Sequence, residues 1–193
     1  MKKIICVLVL LGLALGANAQ VPRKYGIKCG IVKTVTESSG RKSYNTLWFD
    51  NYGAKEKSVT TMDMGGGMGQ AEWITISLED GKSYMLDNSR KTVTVTKRQD
   101  INYLDMPEQV ARARKAKVVG EETVGGRKCV KWEEKVKQVL HTATVVSWVW
   151  KGIPIQYNID NPKSQTTLVE LKQPKSIDPK TFAIPKDYKQ KNL

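Results

Sequence analysis

The sequence predicts an antiparallel, mainly β protein with one main helix. Three observations predict it. From Gly26 onward, short segments alternate apolar and polar residues, the period of a strand with one face buried. Turn-forming clusters separate these segments, among them Ser38-Ser39-Gly40, Asp80-Gly81, Asp87-Asn88-Ser89 and Gly125-Gly126. A single stretch, about residues 105–117, carries both helix-forming composition and a helix start signal.

The chain begins with a different kind of segment. Lys2 and Lys3 precede an apolar run from Ile4 to Leu15, and Ala17-Asn18-Ala19 places small residues where a signal peptidase reads. This predicts a secretory signal over residues 1–19, cleaved before Gln20. The run is shorter than the roughly 20 residues that span a bilayer. No Cys stands at the cleavage point, so lipidation there is not expected. Residues 20–193 then form one predicted domain, because no linker and no internal repeat divides them.

The first predicted strand places Ile27, Cys29 and Ile31 on one face. A second runs from Lys42 to Asp50, a third from Lys55 to Thr61. Trp73 to Leu78 follows, and Asp80-Gly81 turns the chain into Lys82 to Leu86. Lys91 to Lys97 sets Val93 and Val95 against Thr92, Thr94 and Thr96, so one side of this strand is expected to be wet. The helix is predicted to open with Asp105 as N-cap and Glu108 completing a capping box. Arg112, Arg114, Lys115 and Lys117 make it a basic surface, either an exposed helix across a sheet edge or a docking face for an anionic partner.

Beyond the helix, Val118 to Val124 and Arg127 to Val136 form a predicted hairpin. Thr144, Val146, Trp148 and Trp150 share one strand face, and Ile153, Ile155, Tyr157 and Ile159 share a face of the next. Pro154 suggests an edge or a bulge. In Gln165 to Lys172, Val169 and Leu171 are expected to face inward. The tail from Lys186 is expected to fray.

Chemistry-bearing motifs are few. The chain has one His, His141, and no G-x-S-x-G, H-E-x-x-H or C-x-x-C. Glu121-Glu122 and Glu133-Glu134 are adjacent pairs on strands, so their members point to opposite faces. No catalytic residue, metal site or cofactor is expected, and the protein is read as a non-enzyme. Cys29 and Cys129 are 100 residues apart in an oxidising compartment. A disulfide between them would add about 4 kcal/mol in the chain-entropy model; two buried free thiols are the alternative. Met62, Met64 and Met68 surround a run of glycines, and this segment is a Cu(I) loop, an apolar flap over a greasy ligand, or a plain hairpin loop.

The formal charge of +13 falls to +11 without Lys2 and Lys3. Outside the cytoplasm such a charge points to anionic lipid, lipopolysaccharide or an acidic protein surface rather than nucleic acid, or to a solvated basic surface with no specific partner. Trp73, Trp132, Trp148, Trp150, Ile155 and Tyr157 are the candidate apolar lining of a ligand site. Core packing would use the same residues.

A series of local motifs carries a family resemblance. Gly26-Ile27-Lys28-Cys29-Gly30-Ile31-Val32 leads to Leu47-Trp48-Phe49-Asp50-Asn51-Tyr52-Gly53. Gly120 to Cys129, Trp148-Val149-Trp150-Lys151-Gly152-Ile153-Pro154 and Ile177 to Pro185 follow in order. This order resembles the exported LolA/LolB-like proteins, nearest the uncharacterised DUF4412-type branch of Bacteroidetes. The resemblance implies a strongly curved, half-open β-barrel with helices over its mouth. It further implies a periplasmic carrier of a lipid or of lipoprotein acyl chains. Burying acyl chain gains about 0.8 kcal/mol per CH₂, which suits an apolar trough. The chain departs from the carrier in having one clear helix instead of a fuller lid. The alternative expectation is a non-catalytic envelope protein whose core is filled by its own side chains.

Overall fold

A computed structural model describes residues 23–66, 69–137 and 141–191. The predicted signal segment therefore lies outside the described residues. The strands, in chain order, are β1 (Gly30–Ser38), β2 (Arg41–Asp50), β3 (Lys55–Asp63), β4 (Gln70–Ser77), β5 (Lys82–Asp87), β6 (Thr92–Lys97), β7 (Lys117–Val124), β8 (Arg127–Lys137), β9 (Thr142–Trp150), β10 (Ile153–Ile159), β11 (Ser164–Lys172) and β12 (Lys189–Lys191). One helix, α1 (Glu108–Arg114), separates β6 from β7. All the strands lie in one sheet, in the order β12-β6-β5-β4-β3-β2-β1-β11-β10-β9-β8-β7. Every pairing is antiparallel except β12 with β6. The sheet does not close on itself, so the fold is a curved half-open barrel, as the sequence predicts.

The hairpins form where the turn dipeptides stand. Ser39-Gly40, Gly125-Gly126 and Lys151-Gly152 all have positive φ at both positions, the backbone of a type I′ turn. That turn matches the right-handed twist of the strands it joins.

Two apolar layers hold the sheet. One gathers Tyr25, Val32, Phe49, Cys129, Trp148, Ile153 and Ile155. The other gathers Cys29, Ile76, Ile177 and Phe182, with Ile31, Trp48, Ile74 and Tyr84 packed on it. Trp48 and Phe49 are successive residues of β2, so they point to opposite faces. On the outer face, the chain after β11 covers the row Trp48, Ile76 and Tyr84 with Ile177 and Phe182. On the inner face, Phe49 lies over Gly30, where a Cβ would come within 2.6 Å of its ring. Tyr25 packs on Phe49 with ring centroids 4.4 Å apart and ring planes tilted by 54°.

Several local expectations are corrected. The helix spans Glu108–Arg114, not 105–117, and Pro107 occupies the N-cap with no side-chain cap. The amides of Leu104 and Asp105 are taken by Oδ1 of Asn102, so Asp105 sits in a turn anchored on Asn102. Lys115 ends the helix in a left-handed conformation, and Lys117 belongs to β7. Val169 does not face inward. The β1–β11 register shifts opposite Lys33 and Thr34, which leaves Val169 unpaired and 62% exposed while Leu171 packs on the core. The tail does not simply fray, since β12 pairs with β6. Cys29 and Cys129 are free thiols in separate apolar layers, so the disulfide is not formed.

The link from β6 to β7 positions the site. β7 is one edge of the sheet, and β6 lies one strand from the other edge. Residues 98–116 therefore cross the open side of the barrel as a strap. They are fixed along their length: Arg98 donates to the carbonyls of Gly53 and Ala54 at 2.6 Å each, and Asn102 to that of Arg23 at 3.0 Å. Leu104 lies against Gly152, and Arg114 reaches Glu134.

Candidate functional site

Between the strap and the inner face is a hollow of about 430 Å³. The strap contributes Gln99, Asp100, Ile101, Tyr103 and Arg114. The sheet contributes Val136, Val145, Ser147, Pro154, Tyr157 and Ile159, and Lys24 and Tyr25 close one end. A second hollow of about 390 Å³ continues along the same face, lined by Val32, Thr34, Thr36, Ser43, Asn45, Leu47 and Thr60. Tyr25, Pro154 and Tyr157 belong to both, so the two are halves of one trough. Each half falls in the roughly 300–1,000 Å³ range of small-molecule sites.

Two buried carboxylates brace the trough. Glu134 is fully buried in β8 and accepts the Tyr103 hydroxyl at 2.5 Å and the Arg114 guanidinium. Glu56, 7% exposed, accepts the Tyr25 hydroxyl at 2.5 Å, Lys24 and Arg98. Asp100 takes the remaining contacts of Lys24 and Arg98. Three acids thus meet three bases, and every one has a partner. Burial pushes the Tyr103 phenol well above its ordinary range, and its bond to Glu134 adds to the rise. Burial raises Tyr25 in the same way, with Glu56 adding. Both phenols stay protonated and act as donors. A carboxylate that already holds a Tyr and an Arg is a brace rather than a free general base.

The six predicted lining residues are distributed unevenly. Tyr157 lines both halves of the trough. Trp132 lies under the strap with its ring 5.6 Å from that of Tyr103. Trp73 stands on the same inner face opposite Thr60, and is 47% exposed. Ile155 is fully buried in the core. Trp148 and Trp150 do not line the trough. A bulge between Pro154 and Gln156 pairs Trp148 with Gln156 and Ser147 with Tyr157, so Trp148 and Tyr157 point to opposite faces. Trp148 instead donates its indole N–H to Glu122 at 2.8 Å and lies 4.7 Å from Lys131, while Trp150 meets Arg127 and Lys151.

The Met segment and the basic helix are also placed. Met62 is in β3 opposite Ala71, and the amide of Met64 donates to Gly69. Met68 lies outside the described residues. Arg112 pairs with Glu108, Arg114 with Glu134 and Lys117 with Glu133, which leaves Lys115 without an ion pair among the described residues. Most of the expected basic patch is therefore neutralised in place.

The bracing residues Tyr25, Glu56, Arg98, Tyr103 and Glu134 are absent from the sequence-based candidates. One of them had a readable signal. Val130, Trp132, Glu134 and Val136 share a face of β8, and a lone carboxylate in an apolar series needs a buried partner.

No family model matches the chain, and no curated protein matches it in sequence. Solved structures do. The chain is similar to an uncharacterized conserved protein from Thermus thermophilus, with a TM-score of 0.56 at 9% identity over 86% of this chain and 91% of that one. It is similar to PNGF-II with a TM-score of 0.50 at 10% identity, over 86% of this chain but only 31% of that one. A looser likeness, TM-score 0.37 at 12% identity, is to an outer membrane lipoprotein-sorting protein domain from Vibrio parahaemolyticus, over 83% of this chain and 91% of that one. At such identities a likeness shows the fold alone, and the last is too loose to argue from. Among the described residues, no helix is long and apolar enough to cross a membrane.

Proposed function

We propose that this protein is an exported, non-catalytic carrier that holds an apolar or amphiphilic ligand, such as a lipid or a lipoprotein acyl chain, in the trough beneath the strap. The single observation that carries the reading is the trough itself. Ile101, Val136, Val145, Pro154, Tyr157 and Ile159 surround space instead of packing on one another. The charged groups around it are paired among themselves, and the Tyr25 and Tyr103 hydroxyls are spent on Glu56 and Glu134, so the lining offers a ligand apolar surface rather than free charge. The predicted signal segment supports release into the cell envelope, and the LolA-like motif order supports a carrier of the DUF4412 type.

A second reading, a cell-envelope interaction protein with a filled core, has one observation in its favour. Phe49, Cys129 and Ile155 are fully buried in one apolar cluster, so part of the core is filled by its own side chains. Dye binding separates the two. The fluorescence of 1-N-phenylnaphthylamine is expected to rise on mixing with the protein, and Val145→Glu, which puts a charge into the hollow, is expected to abolish the rise. A wild-type protein that leaves the dye dark favours the filled-core reading.

A further inference from the structure

We propose that the polar half of the trough, from Trp73 across Thr60 and Asn45 to Thr34, is a subsite for a saccharide ring. The inference rests on the carrier reading for its location and adds the chemistry of the ligand's head.

These four side chains form one row. Trp73 is opposite Thr60, Thr60 opposite Asn45, and Asn45 opposite Thr34, with no register shift between β4, β3 and β2 or between β2 and β1. Directly opposed residues share a face, and neighbouring strands lie about 4.8 Å apart, so the row spans roughly 14 Å. Thr34, Asn45 and Thr60 line the hollow, and Trp73, one strand beyond Thr60 on the same face, continues the row outside that lining.

The row is organised to hydrogen-bond outward. The amide nitrogen of Asn45 is spent on Ser58 Oγ at 2.7 Å and Thr60 Oγ1 at 2.8 Å. Its Oδ1 is left as an acceptor. Thr60 accepts from Asn45 and keeps its own O–H to donate. The Thr34 hydroxyl has no partner among the described residues. An acceptor and two hydroxyls are thus presented in sequence, with the amide already anchored, so little ordering is needed on binding.

The remaining features narrow the ligand. No member of the row is charged, and the nearby Glu56 is occupied by Tyr25, Lys24 and Arg98. An anionic or cationic head would find no counter-charge in the row. A pure hydrocarbon would leave these polar groups desolvated and unpaired, at a cost. A neutral ring with C–H bonds on one face and hydroxyls around its edge satisfies both ends. Its C–H face meets the electron-rich face of the exposed Trp73 indole, and its hydroxyls meet Thr60, Asn45 and Thr34. The ring belongs to a glycolipid head or to a free oligosaccharide; the chemistry at the subsite is the same.

The test titrates the exported protein by calorimetry with dodecyl β-maltoside, dodecyl β-lactoside, dodecanoate, and free maltose and lactose. The Trp73 indole N–H is followed by NMR. The expected result is that a dodecyl glycoside binds at least tenfold tighter than dodecanoate and shifts the Trp73 signal. Trp73→Ala and Thr34→Val should each weaken the glycoside at least fivefold, and by a clearly larger factor than they weaken dodecanoate. Trp73 is half exposed and Thr34→Val is close to isosteric, so neither change threatens the fold. Equal binding of glycoside and dodecanoate, indifferent to Trp73, overturns the saccharide subsite and leaves the carrier reading standing. Free sugar binding through Trp73 with no response to dodecanoate supports the subsite and overturns the carrier reading. Silence from every probe overturns both.

Discussion

Tyr103 on the strap and Glu134 in β8, separated by 31 residues, share a 2.5 Å hydrogen bond that pins the strap to the floor of the barrel. Arg114 joins the same carboxylate from the end of α1. Removing Arg114 leaves a fully buried carboxylate short of its counter-charge. Arg114→Ala is expected to lower stability by about 3 kcal/mol. Arg112→Ala, which breaks only an exposed pair with Glu108, is expected to cost under about 0.5 kcal/mol. Urea midpoints of the two variants check the contrast, and equal midpoints would show that the strap is not held by Glu134.

Alkaline pH should loosen the same contact. The Tyr103 and Tyr25 phenols are raised in the folded chain, chiefly by burial. Below the ordinary phenol value of 10.0, folded and unfolded chains both keep these protons, and the contribution is whole. Above it the unfolded chain releases protons that the folded chain retains, so stability falls as pH rises. The slope approaches about 1.4 kcal/mol per pH unit for each phenol. Tyr103→Phe should flatten that slope, measured as urea midpoints between about pH 9 and about pH 11. An unchanged slope would mean that the Tyr103 proton is not held by folding.

Gly152 carries a second strap contact. It has φ of +79, and a Cβ there would lie 2.4 Å from the Lys24 carbonyl oxygen and 2.8 Å from Leu104 Cγ. Gly40 has a similar φ of +75 with open space around it. Gly40→Ala should cost about 1 kcal/mol for the left-handed backbone alone. Gly152→Ala should cost clearly more, because a backbone oxygen must move, and thermal melting of the two variants compares them.

The cysteines should behave as inert thiols. Burial pushes both Cys29 and Cys129 up, away from the thiolate. Cys29 donates to the Pro174 carbonyl at 3.1 Å and Cys129 to that of Arg127 at 3.3 Å. Dithiothreitol is expected to leave the melting temperature unchanged. A thiol reagent should label neither in the native protein and both in urea. A reductant-dependent melting temperature would contradict the separate placement of the two residues.

Much of the fold is legible in the sequence because it is written locally. Alternation marks the strands, and Ser39-Gly40, Gly125-Gly126 and Lys151-Gly152 mark their turns. The site is less legible because it depends on parity and on distant pairing. One extra residue at the Pro154–Gln156 bulge sends Trp148 and Tyr157 to opposite faces. The capping box at Asp105 fails because Asn102, three residues earlier, takes the amide first. The strap becomes visible only once the sheet order puts β6 and β7 at opposite sides of the opening. Tyr157 is legible because its alternation holds beyond the bulge, and Glu134 because it interrupts an apolar face.

The most direct measurement is native mass spectrometry of the protein purified from its own cell envelope without detergent. The carrier account predicts a fraction with added mass that matches one lipid or lipid-modified species, lost in Val145→Glu. A protein that is always found at its bare polypeptide mass, and whose trough takes up no added amphiphile, would contradict it.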